Sequence, residues 1–465
     1  MFVDRRVELE ALEREWGRQR FSLAIVYGRR RVGKTALLRR FLRGRRGVYY
    51  VAAELPASQL YREFAEVVGE ELGVYVPGDL VEALERLARL GERLAVVLDE
   101  FQYMVEADPS LPSRLQRSID TVLGESRLML VLCGSAVSFF EERLLGYRAP
   151  LFGRRTLSLR LRPMTMLEAH GFYAGARGFL EEAAMYSVLG GTPAYARYAH
   201  GRRGLRELLE EILSPGHPLL TEPLDLLRQE LREPRSYLGL LRAVAEGRTR
   251  PSEAAQAAGI DPRSVHHYAA VLEQLDILER RAPLGQRRGY RLRILDPFFR
   301  FWFTVAPRVQ SLVEAGYTSK AVEAAERLVR ERLLGPTLEQ VVEQLLPLLH
   351  ADSLLPTTPV EHGPWWGRRG EEIDLVVRDP GRSTTFIEVK ASTSIGEAER
   401  LLASLEEKAR LSGLQSPRNH YIIVAGRVED ASEPVERLDE HRSVIDLSRL
   451  WPILVERHRE QWEGG

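Results

Sequence analysis

The sequence of 465 residues has little lysine, a single cysteine and no net charge. Its one cysteine, Cys133, excludes an intramolecular disulfide and is typical of a reducing compartment, so we expect a cytoplasmic protein. No run of about 18 apolar residues occurs, so we expect neither a membrane span nor a membrane partner. The 66 acidic residues balance the 66 basic ones, which excludes a uniformly basic protein that binds nucleic acid through its total charge.

Lysine is by far the scarcest charged residue, since only four of the basic residues are lysines and 62 are arginines. The two are not interchangeable, because a lysine pKa can be lowered for base chemistry whereas a guanidinium keeps its proton. In a chain that otherwise uses arginine, a retained lysine is therefore a candidate for a chemical role. The four are Lys34, Lys320, Lys390 and Lys408.

A glycine-rich loop follows the first predicted strand, at residues 23–27, and precedes a predicted helix at 36–42. The loop has the pattern Gly-x-x-x-x-Gly-Lys-Thr, in which the glycines allow backbone N–H groups to surround phosphate oxygens. Its lysine reaches the β- and γ-phosphates, and its threonine hydroxyl is a ligand for Mg²⁺. The pattern therefore predicts a site for ATP and Mg²⁺ made of Gly28, Arg29, Arg30, Arg31, Val32, Gly33, Lys34, Thr35 and Ala36.

Two adjacent carboxylates, Asp99 and Glu100, end a second apolar strand predicted at 94–98. An acidic residue at the tip of a buried strand beside the phosphate loop can hold Mg²⁺ through water, so Asp99 joins Thr35 as a predicted metal ligand. The next carboxylate can polarise the attacking water. We therefore expect Glu100 to be the general base and the protein to hydrolyse ATP to ADP.

These motifs resemble the AAA+/STAND-type P-loop ATPases, and in particular the archaeal ATPase family. The segments that carry the resemblance are Phe2-Val3-Asp4-Arg5-Arg6-x-Glu8-Leu9, Leu130-Val-Leu-Cys-Gly-Ser135, Leu151-Phe-Gly-Arg154-Arg155 and Gly190-Gly-Thr-Pro-Ala-Tyr195. The resemblance implies that the first segment packs near the adenine, that Ser135 senses the γ-phosphate, that Arg154 is an arginine-finger candidate and that a helical lid follows. From the residues alone, Ser135 is equally an ordinary turn residue and Arg154 a surface arginine.

Residues 252–275 have the pattern helix, glycine turn, helix, and two short strands follow them. This resembles a winged helix-turn-helix, whose second helix would enter the major groove of DNA. The wing, residues 276–293, carries six arginines against two acidic residues, a local basic footprint that favours DNA contact. A winged helix that only packs between domains is the alternative. The side chains that the second helix could offer to DNA are Arg263, His266, His267 and Tyr268.

The C-terminal part contains Glu-Ile-Asp374 and, about a dozen residues later, Glu388-Val-Lys390. This spacing resembles the metal site of PD-(D/E)XK nucleases and, with Trp365-Trp366 upstream, an uncharacterised domain that accompanies archaeal ATPases. The resemblance implies that Asp374 and Glu388 hold Mg²⁺ or Mn²⁺, and Glu339 could complete the site. Period-2 spacing puts Glu388 and Lys390 on one face, where Lys390 can orient or deprotonate the attacking water. An ordinary surface pair of Glu and Lys is the alternative.

The predicted fold class is α/β, with a P-loop NTPase parallel sheet, a helical lid, a winged-helix domain and a C-terminal restriction-endonuclease-like α/β domain. Near-continuous apolar runs alternating with helical patterns in residues 1–160 are typical of the parallel sheet. The predicted boundaries are 1–162 for the ATPase core, 163–230 for the lid, 231–300 for the winged helix-turn-helix, 301–334 for linker helices and 335–465 for the nuclease-like domain.

We therefore expect a Mg²⁺-dependent ATPase coupled to a nuclease-like domain that acts on or docks to DNA, with cleavage itself left open. The alternatives are a nucleotide-controlled signalling or scaffold switch and a transcription regulator, each with a C-terminal domain that does not cleave. The expected partners are ATP or ADP and DNA, and assembly into a homo-oligomer is left open.

Overall fold

The computed structural model describes residues 2–231, 233–286 and 289–463, the last three of these by their backbone alone. The chain divides into two compact units, with the boundary between Pro163 and Met164. Among the described residues, none of the helices combines the length and the apolar character needed to cross a bilayer.

The strands of the described residues are numbered in chain order. They are β1 (Ser22–Tyr27), β2 (Gly47–Val51), β3 (Ala95–Asp99), β4 (Met129–Gly134), β5 (Leu157–Arg160), β6 (Leu278–Arg281), β7 (Arg291–Ile294), β8 (Glu361–Trp366), β9 (Glu372–Asp379), β10 (Ser383–Thr393), β11 (Arg418–Val428), β12 (Val435–Arg437) and β13 (Arg442–Asp446).

The α-helices are numbered in the same way. They are α1 (Arg6–Gly17), α2 (Lys34–Leu42), α3 (Ala57–Leu72), α4 (Leu80–Ala88), α5 (Phe101–Ala107), α6 (Leu111–Thr121), α7 (Val137–Phe139), α8 (Met166–Tyr173), α9 (Phe179–Leu189), α10 (Pro193–Ala196), α11 (Leu205–Ile212), α12 (Glu222–Glu230), α13 (Pro234–Ala245), α14 (Pro251–Ala257), α15 (Val265–Gln274), α16 (Pro297–Thr304), α17 (Ala306–Glu314), α18 (Thr318–Leu328), α19 (Leu334–Ala351), α20 (Ile395–Ser412) and α21 (Leu447–Glu463).

The first unit is built on a parallel five-stranded sheet with the order β2-β3-β4-β1-β5. Along β1, Leu23 and Ile25 belong to one apolar core and Ala24 and Val26 to another. Because alternate residues of a strand face opposite sides, the sheet is buried on both faces, which explains its near-continuous apolar runs. The predicted α/β fold class and the P-loop-type parallel sheet are confirmed. The carboxyl ends of β1, β3 and β4 meet at one edge, where the predicted ATP site lies.

The second unit begins with helices α8–α12 and continues with α13–α15 and the antiparallel hairpin β6–β7. It ends in a mixed six-stranded sheet with the order β12-β13-β11-β10-β9-β8, on which α19, α20 and α21 pack. The strands predicted at 372–377, 384–389 and 420–424 are the central β9, β10 and β11, and each is longer than predicted. The sequence patterns do not predict the outer strands β8, β12 and β13. In β8 the reason is the Gly363–Pro364 pair, which interrupts the strand pattern.

Candidate functional site

The phosphate loop joins β1 to α2 and needs glycine at two positions. Gly28 has φ 153° and Gly33 has φ 98°, a conformation that favours glycine. A Cβ on Gly28 would also lie 2.2 Å from the carbonyl oxygen of Leu161, so a side chain has no room there. Helix α2 begins at Lys34, directly after Gly33. The loop thus presents the N–H groups and partial positive charge of a helix N-terminus, which bind phosphate.

The side chain of Lys34 is buried over this loop and bonded to backbone carbonyls. Its Nζ donates to Gly28 O at 2.7 Å and to Arg29 O at 3.0 Å. Both acceptors are backbone oxygens of the phosphate loop, so these two bonds hold the ammonium over the loop. The side chain of Arg29 is fully buried. Of the predicted loop residues, Arg29 therefore has its backbone and not its guanidinium available to a nucleotide.

Asp99, the last residue of β3, lies beside Thr35 at the start of α2. Thr35 Oγ1 donates to Asp99 Oδ2 at 3.1 Å, and the hydroxyl of Tyr49 on β2 donates to the same oxygen at 2.5 Å. Burial and the negative charge of Asp99 raise the pKa of Tyr49, so the phenol keeps its proton and remains a donor. A hydroxyl and a carboxylate are hard oxygen ligands, so Thr35 and Asp99 fit the predicted Mg²⁺.

Glu100 follows in the left-handed conformation, with φ 53° and ψ 42°. Such a conformation costs a non-glycine residue about 1–3 kcal/mol and clusters at functional sites. Its Oε2 accepts hydrogen bonds from Gln102 Nε2 at 2.5 Å and from Ser135 Oγ at 2.9 Å. The structure therefore brings together Glu100 and Ser135, two predicted site residues from the ends of different strands.

The N-terminal segment is tied to the phosphate loop by the buried guanidinium of Arg5. Its Nη2 donates to Val32 O at 3.0 Å and to Arg162 O at 2.6 Å, and its Nη1 pairs with Glu8 at 2.8 Å. Arg5 is in the left-handed conformation, with φ 65°. The segment that carries the family resemblance is thus part of the loop's support.

The guanidinium of Arg154 forms an ion pair with a carboxylate of the same unit. Its Nε and Nη2 donate to the two carboxylate oxygens of Asp120 at 2.9 and 2.8 Å, and its Nη1 donates to Pro150 O and Phe152 O. The hydrogen bond to Asp120 raises the pKa of Arg154. This fork-like pairing fixes the guanidinium in one orientation.

The C-terminal candidate residues lie on the antiparallel neighbours β9 and β10. Asp374 Oδ2 on β9 accepts from Val389 N on β10 at 2.7 Å. Glu388 binds two ammonium groups: Lys390 Nζ donates to its Oε1 at 2.8 Å and Lys408 Nζ to its Oε2 at 3.0 Å. Lys408 comes from α20, which covers this sheet, and sequence reasoning missed it. Its only signal was the scarcity of lysine.

Negative charge is concentrated at this site. Burial, followed by the charges of Glu388 and Glu339, raises the pKa of Asp374 to about 7. Burial also raises the pKa of Glu339, although nearby arginines oppose it. For Lys390, burial alone would lower the pKa, but the surrounding carboxylates raise it. Buried carboxylates that repel one another fit a divalent cation, which would relieve the repulsion.

Within the described ranges, no group of three or more His, Cys, Asp or Glu side chains is arranged to hold a metal ion. Glu339 lines the same cavity as Asp374, but these two and Glu388 do not form a ready three-carboxylate cluster. The prediction that Glu339 completes the site therefore lacks support from the geometry.

The arginines of the hairpin β6–β7 are engaged with carboxylates. Arg280 pairs with Glu273 at 2.5 Å, Arg281 with Glu343 at 2.6 Å, Arg291 with Glu372 at 3.2 Å and Arg293 with Glu279 at 3.7 Å. The predicted basic footprint is thus largely compensated within the second unit. Two further arginines of the predicted wing, Arg287 and Arg288, lie outside the described residues.

The helix α15 keeps several predicted DNA-facing side chains at the surface. Arg263, His266 and His267 are exposed. His266 is bonded to the hydroxyl of Tyr290 at 2.7 Å, and the ring of Tyr268 packs edge-on against Tyr237. Three of the four predicted residues are therefore accessible.

The parallel sheet, the glycine loop and the acidic strand end together define a P-loop ATPase. Residues 2–197 match the profile of a family described as an ATPase domain predominantly from Archaea. Residues 302–401 match a second profile, described as archaeal and bacterial proteins of unknown function. The protein is therefore a P-loop ATPase, and residues 2–197 are similar to this predominantly archaeal family. The match and the geometry of the phosphate loop together support nucleotide binding and ATP hydrolysis.

Similar proteins come from archaea. An uncharacterized protein of Methanocaldococcus jannaschii is 28% identical over 437 residues, which is 92% of this chain and 96% of that protein. An uncharacterized ATP-binding protein of the same organism is 54% identical over 46 residues, 10% of this chain and 78% of that protein. Among solved structures, the Walker-type ATPase of Pyrococcus abyssi is 22% identical and covers 65% of this chain and 96% of its own, with a TM-score of 0.50, a likeness of fold.

Proposed function

We propose that this ATPase couples Mg²⁺-dependent hydrolysis of ATP to a nuclease-like C-terminal domain that acts on DNA. The observation that supports two sites for phosphate chemistry in one chain is the distribution of lysine. Lys34 serves the phosphate loop, while Lys390 and Lys408 both bind Glu388, which lies one strand from Asp374. Three of the four lysines thus occupy two sites that each suit phosphate chemistry.

In the ATP site, the Lys34 ammonium would bind the phosphates, and Thr35 and Asp99 would hold Mg²⁺, which would supply charge neutralisation at the phosphates. Glu100 takes up the proton of the attacking water, and the hydrogen bonds from Gln102 and Ser135 fix the orientation of its carboxylate. Ser135 is in this proposal a positioning residue for Glu100 as well as the sensor that the family resemblance implies.

Arg154 has the role of an arginine finger only if it leaves Asp120. An exposed pair of this kind contributes little stability, so a neighbouring copy whose phosphate attracts Arg154 could replace Asp120. A finger supplied in this way would act in trans, within a homo-oligomer.

In the C-terminal site, Asp374 and Glu388 are the proposed ligands of Mg²⁺ or Mn²⁺. The ion would polarise a phosphodiester and its attacking water. Lys390 and Lys408 both place positive charge beside Glu388. In this proposal Lys390 orients the water and Lys408 balances the charge of Glu388.

The proposal includes the division of the chain into core, lid, winged helix, linker and nuclease-like domain. The order α13, α14, α15 and hairpin β6–β7 supports the winged helix.

The test is cleavage of supercoiled plasmid and of single-stranded DNA by the full-length protein, with Mg²⁺ or Mn²⁺ and with or without ATP. We expect Lys390→Ala to lower the cleavage rate at least about 100-fold, the usual scale for loss of a group that stabilises charge in the transition state. Lys320→Ala, on the exposed side of α18, is the matched control and should cleave like the wild type. No cleavage by the wild type, or equal cleavage by Lys390→Ala, would overturn the proposal.

The hairpin contacts favour one other function, a nucleotide-controlled switch with a C-terminal domain that does not cleave. In that case the ion pairs made by the arginines of β6–β7 only stabilise the packing of the second unit. This alternative predicts no cleavage and no salt-sensitive DNA binding, together with an oligomeric state that differs between ATP and ADP. Light scattering with each nucleotide measures that difference.

A further inference from the structure

A cavity of about 420 Å³ lies in the second unit against the candidate carboxylates. Asp374 and Glu339 open into it from β9 and α19, and Glu372 lies at its wall. The positive residues around it outnumber these three carboxylates and come from other elements. They are Arg281, Arg291 and Arg293 of the hairpin β6–β7, Arg300 of α16, and Arg332.

The arginines reach the cavity because of the strand register of the hairpin. Arg281 is paired with Arg291, and Glu279 with Arg293, so these side chains share one face of β6–β7. Arg280 belongs to the other face, where it pairs with Glu273 of α15. One face of the hairpin, with Arg281, Arg291 and Arg293, therefore lines the cavity. The opposite face, with Arg280, lies against α15.

Two of these charges are available to a ligand. Arg332 is exposed and makes no ion pair within the described part of the chain. The partner of Arg291 is Glu372, and half of that carboxylate side chain is exposed, so the pair is weak and a phosphate can replace the carboxylate. Behind them Arg300 is buried and bonded to Ile294 O and Gln340 Oε1, so it adds positive charge at a fixed position.

An aromatic ring completes the lining. Trp366, at the end of β8, lines the cavity, and the guanidinium of Arg291 lies 4.2 Å from the centre of its ring. Basic side chains that follow a phosphate backbone, together with aromatic rings on which bases stack, are the usual components of single-strand binding sites. The cavity therefore combines phosphate-binding, base-stacking and carboxylate groups.

We infer that this cavity receives the end of a single-stranded phosphodiester chain, with Arg291 and Arg332 on its phosphates and Trp366 against a base. The inference rests on the proposed function and names its substrate class. Its volume lies within the range of pockets that enclose one small ligand, so one nucleotide fits and a duplex does not. The winged-helix hairpin and the nuclease-like sheet thus form one composite site.

The test measures binding of fluorescein-labelled oligonucleotides to the full-length protein in EDTA, so that cleavage plays no part. The probes are a single-stranded oligo-dT, an oligo-U of the same length and a closed dumbbell duplex without free ends. We expect a single strand to bind at least about tenfold more tightly than the dumbbell, and the first two probes distinguish DNA from RNA.

Arg291→Ala and Arg332→Ala should each weaken single-strand binding about tenfold, because each removes charge-assisted bonds to phosphate. Arg280→Ala, on the opposite face of the same hairpin, is the matched control and should bind like the wild type. Unlabelled oligo-dT should quench tryptophan fluorescence in the wild type, and Trp366→Phe should abolish most of that quenching. Thermal melting of each variant checks its fold.

The inference is overturned if the dumbbell binds as tightly as the single strand, or if Arg280→Ala weakens binding while Arg291→Ala and Arg332→Ala do not. If cleavage depends on Lys390 while Arg291→Ala and Arg332→Ala bind single strands with wild-type affinity, the cavity is not the binding site but the proposed function stands. A wild type that neither binds nor cleaves DNA would remove both.

Discussion

The two candidate sites differ in the hydrogen bonds that the structure gives to their lysines. In the first unit, Lys34 is bonded to two neutral carbonyls, and the nearby acids Asp99 and Glu100 are bonded to hydroxyl and amide donors. In the second unit, Lys390 is bonded to a carboxylate, and the neighbouring Asp374 has a raised pKa. The first site is thus prepared for an anion, the phosphates of ATP. The second brings the carboxylates of Asp374 and Glu388 together, an arrangement that suits a cation, although lysines and arginines surround it.

The largest expected effect in this comparison concerns hydrolysis in the first site. Glu100→Gln removes the proposed base but keeps an acceptor for Ser135 and a side chain of the same size. We expect ATP turnover to fall about 10²- to 10⁴-fold, with nucleotide affinity retained. Turnover and equilibrium binding of a fluorescent ATP analogue measure the two quantities separately. Glu106→Gln, at an exposed position of α5, the helix that follows Glu100, is the control. Unchanged turnover in Glu100→Gln would exclude Glu100 as the base.

A smaller effect is expected from the residue that supports Asp99. Tyr49→Phe removes the hydroxyl that donates to Asp99 Oδ2. Loss of such a hydrogen bond to a metal ligand lowers metal affinity about 10- to 100-fold, so the Mg²⁺ concentration for half-maximal turnover should rise by that factor. Tyr50→Phe, whose hydroxyl bonds to Glu63 instead, is the matched control. If both variants need the same Mg²⁺ concentration as the wild type, Asp99 does not act through the metal.

The smallest expected effect concerns stability at the second site. Because the pKa of Asp374 is raised to about 7, the folded protein keeps a proton that the unfolded chain loses near pH 4. Its contribution to stability therefore falls as the pH rises from about 4 to 7. The side chain of Asp374→Asn cannot ionise. In EDTA, the melting temperature of this variant minus that of the wild type should therefore rise by a few degrees from pH 5 to pH 8.

The control for this measurement is Asp379→Asn, on the same strand. The difference in melting temperature between this variant and the wild type should stay constant over this pH range. A constant difference for Asp374→Asn would show that the charge at the second site is already neutralised in the folded protein. It would thereby remove the contrast between the two sites.

Sequence patterns predicted the elements that depend on local chemistry. The glycine spacing placed the phosphate loop between β1 and α2, and the apolar run before Asp99 placed the strand that ends beside it. The patterns missed Tyr49, Gln102 and Lys408, because each contributes through a contact across strands or between a helix and a sheet. Such contacts depend on strand order and helix placement, which no local spacing encodes.

The basic wing illustrates the other limit of sequence reasoning. Its arginines count as a local excess of positive charge, but the acidic partners of Arg281 and Arg291 lie 62 and 81 residues further along the chain. The net charge of a sequence segment therefore describes its accessible surface only when the residues that form its ion pairs belong to the same segment.

The placement of the lysines has a consequence for covalent chemistry. Reagents that acylate amines react with side chains that water reaches. Lys320 is exposed, whereas Lys34 is buried and Lys390 and Lys408 are each bonded to Glu388. A protein with a lysine-rich surface would be modified all over by such reagents. In this chain, acylation of Lys320 supplies an internal reference, and protection of the other three reports separately on occupancy of the nucleotide site and of the Glu388 site.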